Sequence, residues 1–314
     1  MPATLATLGA LFTTHHLPKD ALEANGAADT MLSAIGPRIR GIARAGHAVL
    51  DRAFMARLPH LEIIANFGVG YDGIDLEAAA ERGVIVTNTP DALTEETADT
   101  ALGLLLMTVR ELSAAEQHLR AGKWLRQGPY PLTSSLRDRT VGMIGMGRIG
   151  LAIARRLDAM RVPVVYHTRT ARTDVPYRHY PDLHAMATAV DTLVIIVPGN
   201  ASTRRMVDAS ILRALGPNGI LINVGRGSVV DEPALIQALT DRTIRAAGLD
   251  VFANEPDVPA ALMALPNAVL LPHVGSASVF TRHAMGQLMV DNLISWFDRG
   301  TPLTPVAETP WPRR

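Results

Sequence analysis

Arg226, Glu255 and His273, in a chain of 314 residues, are the residue types needed to move a hydride and a proton at a carbonyl. Reduction of a carbonyl needs a proton donor at the developing alkoxide and a cation that orients the substrate. An imidazole titrates near neutrality, so His273 suits the acid. A guanidinium grips a carboxylate in fork geometry and polarises the adjacent carbonyl, which suits Arg226. Glu255 can hold the imidazole and favour its charged form. Taken singly, each has a plainer reading. His273 follows Pro272 and can be structural, Glu255 precedes Pro256 and can be an exposed loop acid, and Arg226 between two glycines can bind phosphate. What unites them is position. They follow three short apolar runs, 220–224, 244–251 and 268–271, that read as strands. Ligands of an open α/β sheet bind beyond the carboxyl ends of its strands, so the three converge on one crevice.

What fills that crevice is written in V-G-M-I-G-M-G-R-I-G, residues 141–150. An apolar run meets Gly145, Gly147 and Gly150, and then Ile149, Ile153, Leu157 and Met160 recur at helical spacing. Gly145 allows a tight turn, Gly147 lets backbone approach a pyrophosphate, and Gly150 lets helix and strand pack closely. The helix N-terminus offers N–H groups and a positive dipole end to the phosphates. Residues 162–166 supply the next strand and close the βαβ unit. A site that takes NAD ends this second strand on an acid, which binds the ribose 2′-hydroxyl. Here Thr168 stands in that place, followed by Arg169 and Thr170. An arginine beside two hydroxyls binds a 2′-phosphate that a carboxylate would repel, so NADP(H) is expected in preference to NAD(H), with NAD(H) still usable.

The surrounding elements fit such a site. Strand-like runs at 192–197, 220–224, 244–251 and 268–271 alternate with helical candidates at 203–215 and from Asp231, which can cap its helix ahead of Pro233. Alternation of this kind implies a doubly wound parallel sheet. Runs 61–65 and 84–87 flank a helix at 76–82 and predict a second, smaller α/β unit. A helical pattern over 94–119 joins the two, with Thr94 as its cap. The stripe of Met285, Leu288, Met289, Leu293, Trp296 and Phe297 reads as core packing, ended by Gly300, and a loosely ordered tail is expected beyond Thr301.

Composition narrows the function further. Lys plus Arg equal Asp plus Glu, 30 against 30, so no nucleic-acid or membrane partner is expected. The absence of cysteine removes thiolate chemistry and fits a cytoplasmic protein. No basic residue precedes Lys19, so no secretory signal is expected, and the apolar run 102–107 is too short to span a bilayer. P-loop, H-E-x-x-H and G-x-S-x-G signatures are absent, and no metal site is expected.

Six segments in order carry a resemblance over nearly the whole chain. They are N-F-G-V-G-Y-D-G-I-D from Asn66, V-T-N-T-P from Val86, G-M-G-R-I-G from Gly145, N-V-G-R-G-S-V-V-D from Asn223, G-L-D-V-F-A-N-E-P from Gly248, and L-P-H-V-G-S-A-S from Leu271. The chain resembles the D-isomer-specific 2-hydroxyacid dehydrogenases. That resemblance implies two Rossmann-like domains: a flavodoxin-like substrate domain from both chain ends, 1–93 and 285–314, around an NAD(P)-binding domain, 94–284. It implies Arg226, Glu255 and His273 as the catalytic set, with Val69 and Gly70 presenting N–H groups to the substrate carboxylate. It puts Arg148 and Ile149 at the pyrophosphate and Asp250 at the nicotinamide amide. Met146, Val197, Pro198, Val224, Gly225 and Gly275 complete the expected cofactor contacts. A homodimer is implied too; Trp124 and Tyr130 could reach across it, but packing is the plainer expectation for each. One departure from the family pattern is an N-terminal segment shorter by roughly a strand.

The H-T-R-T pattern and L-T-E-E-T-A-D from Leu93 resemble the glyoxylate/hydroxypyruvate reductase branch. The reaction implied is NADPH-dependent reduction of a small 2-oxo acid to the D-2-hydroxy acid. The alternatives are a reductase for a bulkier, phenylpyruvate-type acid and a non-enzymatic dinucleotide-sensing corepressor. Arg169→Ala is expected to raise the KM for NADPH far more than that for NADH in steady-state assays. Equal effects on the two nucleotides would remove Arg169 from the 2′-phosphate site.

Overall fold

The computed structural model describes residues 2–17, 27–46 and 48–312, and Lys19 lies outside them. The chain divides into two compact units, one of residues 94–277 and one of residues 1–93 with 278–314. The expected limit at 284/285 falls instead inside a continuous helix, Val279–Arg299. Ser278 caps that helix by accepting the N–H of Thr281 at 3.1 Å, so the capping turn marks the limit, not the apolar stripe.

The larger unit is built on β4 (Val141–Ile144), β5 (Val164–His167), β6 (Arg178–His179), β7 (Thr192–Ile195), β8 (Ile220–Asn223), β9 (Ala246–Leu249) and β10 (Ala268–Leu270). Their order in the sheet is β10-β9-β8-β7-β4-β5-β6, and every pairing is parallel. Alternate residues feed two separate cores, as the period of a strand dictates. Leu193, Ile195, Leu221 and Leu249 pack with helices Leu183–Ala189, Ala209–Leu215 and Glu232–Thr240. Met143, Val194, Ile220 and Ile222 pack with helices Thr94–Val109 and Arg148–Ala159. Two covered faces make the sheet doubly wound. The chain runs outward from β4 through β5 to β6, then returns to β7 on β4's other side, so the order reverses beside β4.

Two helical expectations change. The pattern over 94–119 breaks at Glu111, whose φ of +52° is left-handed, and resumes as Leu112–Arg120. Tyr130 donates its hydroxyl hydrogen to Glu111 Oε2 at 3.0 Å at this break. The expected helix over 203–215 begins only at Ala209. Asp208 caps it by accepting from Ser210 and Ile211 N–H, while Asn200 Oδ1 gathers Ser202 and Thr203 N–H into a separate turn. Asp231 caps the next helix as the sequence predicts, accepting the N–H of Ala234.

The smaller unit carries a parallel sheet, β1 (Gly41–Arg44), β2 (Ile63–Asn66) and β3 (Ile85–Thr87), in that order. The apolar pattern does not foresee β1, which offers only two apolar side chains. Ile64 and Val86 face a core with Met55 and Leu58, and Ile63 and Ile85 face one with Leu8, Met289 and Leu293. Among the described residues of the chain, no helix is long and apolar enough to cross a membrane.

The tail beyond Thr301 is not loose. Pro305 bridges antiparallel to Thr87, and Val306 N–H donates to Val86 O at 2.9 Å. Thr309 Oγ1 accepts the N–H of Val86 at 2.9 Å, and Trp311 meets Trp296 edge to face. The tail thus occupies the free edge of β3, which would otherwise expose unpaired backbone groups. Thr309 and Val86 are both buried, so Thr309→Val strands an N–H donor away from water. The expected loss is about 1–3 kcal/mol in denaturant unfolding, largely recovered in Thr309→Ser. Equal stability of the valine variant would refute the pairing.

Candidate active site

Parallel pairing aligns the strand ends. Ile144 registers with His167 and with Ile195, Ile195 with Asn223, Asn223 with Leu249, and Leu249 with Leu270. The residues that follow, Gly145, Thr168, Ile196, Val224, Asp250 and Leu271, therefore leave the sheet side by side along one edge. The glycine loop stands where the strand order reverses, which is where such sheets open a crevice.

The glycines divide the work as their spacing predicts. Gly145 has a φ of +105°, which favours a residue without Cβ. A Cβ on Gly150 would lie 2.5 Å from the carbonyl oxygen of Gly145, so helix and turn touch backbone to backbone. A Cβ on Gly147 would meet nothing within 4 Å. No side chain caps the helix that follows, so its positive dipole end is open to an anion. An open approach at Gly147 and an uncapped helix start fit a dinucleotide pyrophosphate. Arg148 and Ile149 form the first helical turn there. Met146 turns its side chain into the core, leaving only backbone to the site.

At the end of β5, Thr168 donates its hydroxyl hydrogen to Thr170 O at 2.7 Å, and Arg169 and Thr170 are exposed. Among the described residues Arg169 has no carboxylate partner. Arg172, three residues on, is already engaged. It donates to Met146 O at 2.5 Å and pairs with Asp174.

Arg226 sits in a turn tied by a buried amide. Asn223 Oδ1 accepts the N–H of Gly225 at 3.0 Å while its Nδ2 donates to Arg226 O at 2.9 Å. Arg226 Nη1 donates to Gly225 O at 2.7 Å. Gly199, just past Val197 and Pro198, lies under the stem of Arg226; a Cβ there would come within 3.1 Å of Arg226 Cγ. A Cβ on Gly227 would collide with the backbone of Phe252, so the loops bearing Arg226 and Glu255 pack main chain to main chain.

His273 Nδ1 and Glu255 Oε2 lie 2.6 Å apart. Glu255 Oε1 accepts the N–H of Phe252 at 2.9 Å, which fixes the carboxylate. Buried Glu232 braces the same loop, accepting the N–H of Ala253 at 3.1 Å. His273 has a φ of +53°, a left-handed backbone that carries a cost for a residue with a Cβ. Asp250 supports it. Its carboxylate, 1% exposed, accepts Val274 N–H at 2.7 Å and Gly275 N–H at 2.8 Å, and its carbonyl accepts His273 N–H at 2.9 Å. Burial pushes the Asp250 carboxyl up from its ordinary value, against the two N–H bonds and the imidazole of His273, which lower it. Both carboxylate oxygens expected at a nicotinamide amide thus serve the loop that carries the histidine.

In the smaller unit, the loop after β2 holds its carbonyls back. Gly68 O accepts from Thr89 N–H, Val69 O from Asn88 Nδ2, and Gly70 O from Asn66 Nδ2. Among the described residues nothing accepts the N–H of Val69 or Gly70. A trans peptide points its N–H opposite its carbonyl, so the loop is shaped to offer donors to an anion. The holding residues Asn66, Asn88 and Thr89 lie within the quoted motifs, but a polar residue after a strand does not announce which carbonyl it will hold.

Residues 102–275 match the family model described as the NAD-binding domain of D-isomer specific 2-hydroxyacid dehydrogenases. The chain is similar to the NADPH-dependent glyoxylate/hydroxypyruvate reductase of Sinorhizobium meliloti, solved with NADP and malonate. The identity is 56%, the TM-score 0.93, and the match covers 100% of this chain and 96% of that one. It is 47% identical to glyoxylate/hydroxypyruvate reductase A of Arabidopsis thaliana over 268 residues, 85% of each chain. It is 43% identical to the hydroxyphenylpyruvate reductase of Plectranthus scutellarioides, again over 85% of each chain.

Asp250→Asn tests the support under His273. An asparagine offers one acceptor oxygen and sets an NH2 against the other N–H. Stability is expected to fall by about 1–3 kcal/mol, with turnover falling in the variant that remains folded. Unchanged melting and turnover would show that the two bonds do not hold the loop.

Proposed function

The chain belongs to the D-isomer specific 2-hydroxyacid dehydrogenase family, and from that footing we propose that it uses NADPH to reduce glyoxylate to glycolate or hydroxypyruvate to the D-2-hydroxy acid. The carrying observation is the contact of His273 Nδ1 with Glu255 at 2.6 Å, on loops that leave neighbouring strands beside Arg226 and the glycine turn.

Bound reduced nicotinamide supplies the hydride. The protein's part is electrostatic and protonic. Glu255 is fixed by Phe252 N–H, so its other oxygen accepts a hydrogen bond from the Nδ1–H of His273. His273 then gives up the proton on Nε2 to the developing alkoxide and keeps the one on Nδ1. Arg226 holds the substrate carboxylate and polarises the carbonyl next to it. In the smaller unit, the N–H groups of Val69 and Gly70 offer donors suited to a carboxylate. The overall reduction consumes one proton, so lower pH favours it.

NADPH is supported by Thr168 in place of an acid and by the exposed Arg169, and the Sinorhizobium meliloti relative is NADPH-dependent. Among the expected contacts, Val197, Pro198, Val224, Gly225 and Gly275 all lie on the strand-end edge, which supports their place at the nucleotide. A bulkier 2-oxo acid is the second reading, favoured by the likeness to the hydroxyphenylpyruvate reductase.

A cytoplasmic homodimer completes the proposal. Trp124, expected to pack, is instead 62% exposed, and Leu119, Leu125 and Leu132 are exposed with it. Helices Leu112–Arg120 and Lys123–Gln127 bury no residue within this chain. An apolar patch of this kind suits a second copy.

His273→Ala is expected to cut turnover about 10²–10⁴-fold while NADPH still binds, read by nucleotide fluorescence and initial rates. Retained turnover would remove His273 as the acid. In the wild type, glyoxylate or hydroxypyruvate with NADPH should give the highest kcat/KM in a panel that includes pyruvate, phenylpyruvate and NADH. A phenylpyruvate maximum would instead establish the second reading.

A further inference from the structure

Behind the loop of Val69 and Gly70 lies a buried guanidinium–amide pair that no part of the proposed chemistry uses. Arg44 ends β1 and Asn66 ends β2, and the parallel register sets them directly side by side. Arg44 is 7% exposed and Asn66 1%. Arg44 Nε donates to Ala48 O at 2.8 Å, and Nη1 donates to Asn66 Oδ1 at 2.5 Å. Gly73 leaves room for this side chain, since a Cβ there would collide with Nη2. Asn66 passes the interaction on. Its Nδ2 donates to Gly68 O at 3.2 Å and to Gly70 O at 3.0 Å.

The peptide that carries Gly68 O also carries the N–H of Val69, and the two point in opposite directions. A bond that fixes the carbonyl therefore fixes the direction of the N–H. A charge-assisted bond polarises the next bond in a chain, so the guanidinium makes the Asn66 amide a better donor and the Val69 N–H in turn a better one. We propose that Arg44 and Asn66 are positioning residues for the substrate carboxylate: a buried relay that aims and polarises the N–H of Val69, while Asn88 holds the peptide that carries the N–H of Gly70. Neither touches substrate. The inference rests on the reading that Val69 and Gly70 bind that carboxylate. Gly68 has a φ of +142°, so the bend that turns these peptides is itself a glycine bend.

The test compares Arg44→Met, Arg44→Lys and Asn66→Asp with the wild type and with Gly70→Pro, which deletes one of the donors. Arg44→Met removes the charge and keeps the stem, while Asn66→Asp keeps the pairing with Arg44 but cannot donate to Gly68 or Gly70. Each variant is first checked for a cooperative melt, then measured for kcat, KM for glyoxylate and Kd for NADPH. Arg44→Met and Asn66→Asp are expected to raise KM about tenfold, with kcat and NADPH affinity within about twofold, and Arg44→Lys to recover part of the loss. An unchanged KM overturns the relay, as does a raised KM with a parallel fall in kcat and NADPH affinity, which would mark general damage. Failure of both Arg44→Met and Asn66→Asp to fold overturns it too, because the pair is then a folding element. If Gly70→Pro also leaves KM unchanged, the carboxylate loop has been misplaced. A wild type inactive on every 2-oxo acid would instead sink the proposed function.

Discussion

Parallel register is the constraint from which the larger unit's chemistry follows. Six of its strands end within one register row, from His167 through Ile144, Ile195, Asn223 and Leu249 to Leu270. Strands about 4.8 Å apart that stop together deliver their next residues to a single edge. A glycine turn, a hydroxyl, an arginine turn, an acid and a histidine loop thus become neighbours although more than a hundred residues separate them in sequence. A slip of one residue in β8 would turn Asn223 to the other face and take the Arg226 turn with it.

Irregular backbone beyond those strand ends loses its ladder partners, and buried polar side chains replace them. Asn223 ties the Arg226 turn, Asp250 ties the His273 loop, and Glu232 ties the loop of Glu255. Each is buried, and burial of a polar group is tolerable only because its hydrogen bonds are made. The more accessible residues of the proposed site are therefore held by buried ones behind them. His273 illustrates the balance: its left-handed backbone is a local cost, met by three N–H bonds to Asp250 from consecutive residues.

This division explains what could be read from one dimension. Gly145, Gly147 and Gly150 were legible because their spacing encodes backbone requirements, and the positions of Arg226, Glu255 and His273 because apolar runs mark strand ends. The limits of β7 and β9 are legible only to within a few residues, since apolar residues continue past the last ladder bond. The helix start at Ala209 is hidden because Asn200 and Asp208 are both polar residues able to gather the N–H groups that follow them, and only the fold decides which one opens a helix. The tail was misjudged for a related reason. Its prolines signal irregular backbone, but they say nothing of a free edge on β3, which Val306 and Thr309 close from more than two hundred residues away. The motif draws attention to the charge of Asp250, but not to the N–H groups of Val274 and Gly275 that its carboxylate holds.

The two units use one device in different chemical forms. In the larger, a carboxylate or amide behind each loop holds N–H groups inward, which leaves side chains such as His273 and Arg226 for the proposed chemistry. In the smaller, amides behind the loop hold carbonyls inward, which leaves the backbone N–H groups themselves for the proposed binding. The choice of holding side chain decides which. Asp250 has only acceptors and can fasten only N–H groups, whereas Asn66 has two donors on Nδ2 for carbonyls and an oxygen left over for Arg44. An acid at position 66 would still pair with the guanidinium, yet it would repel the carbonyls that must face it. Donor count, more than charge, therefore dictates an amide at Asn66 and a carboxylate at Asp250.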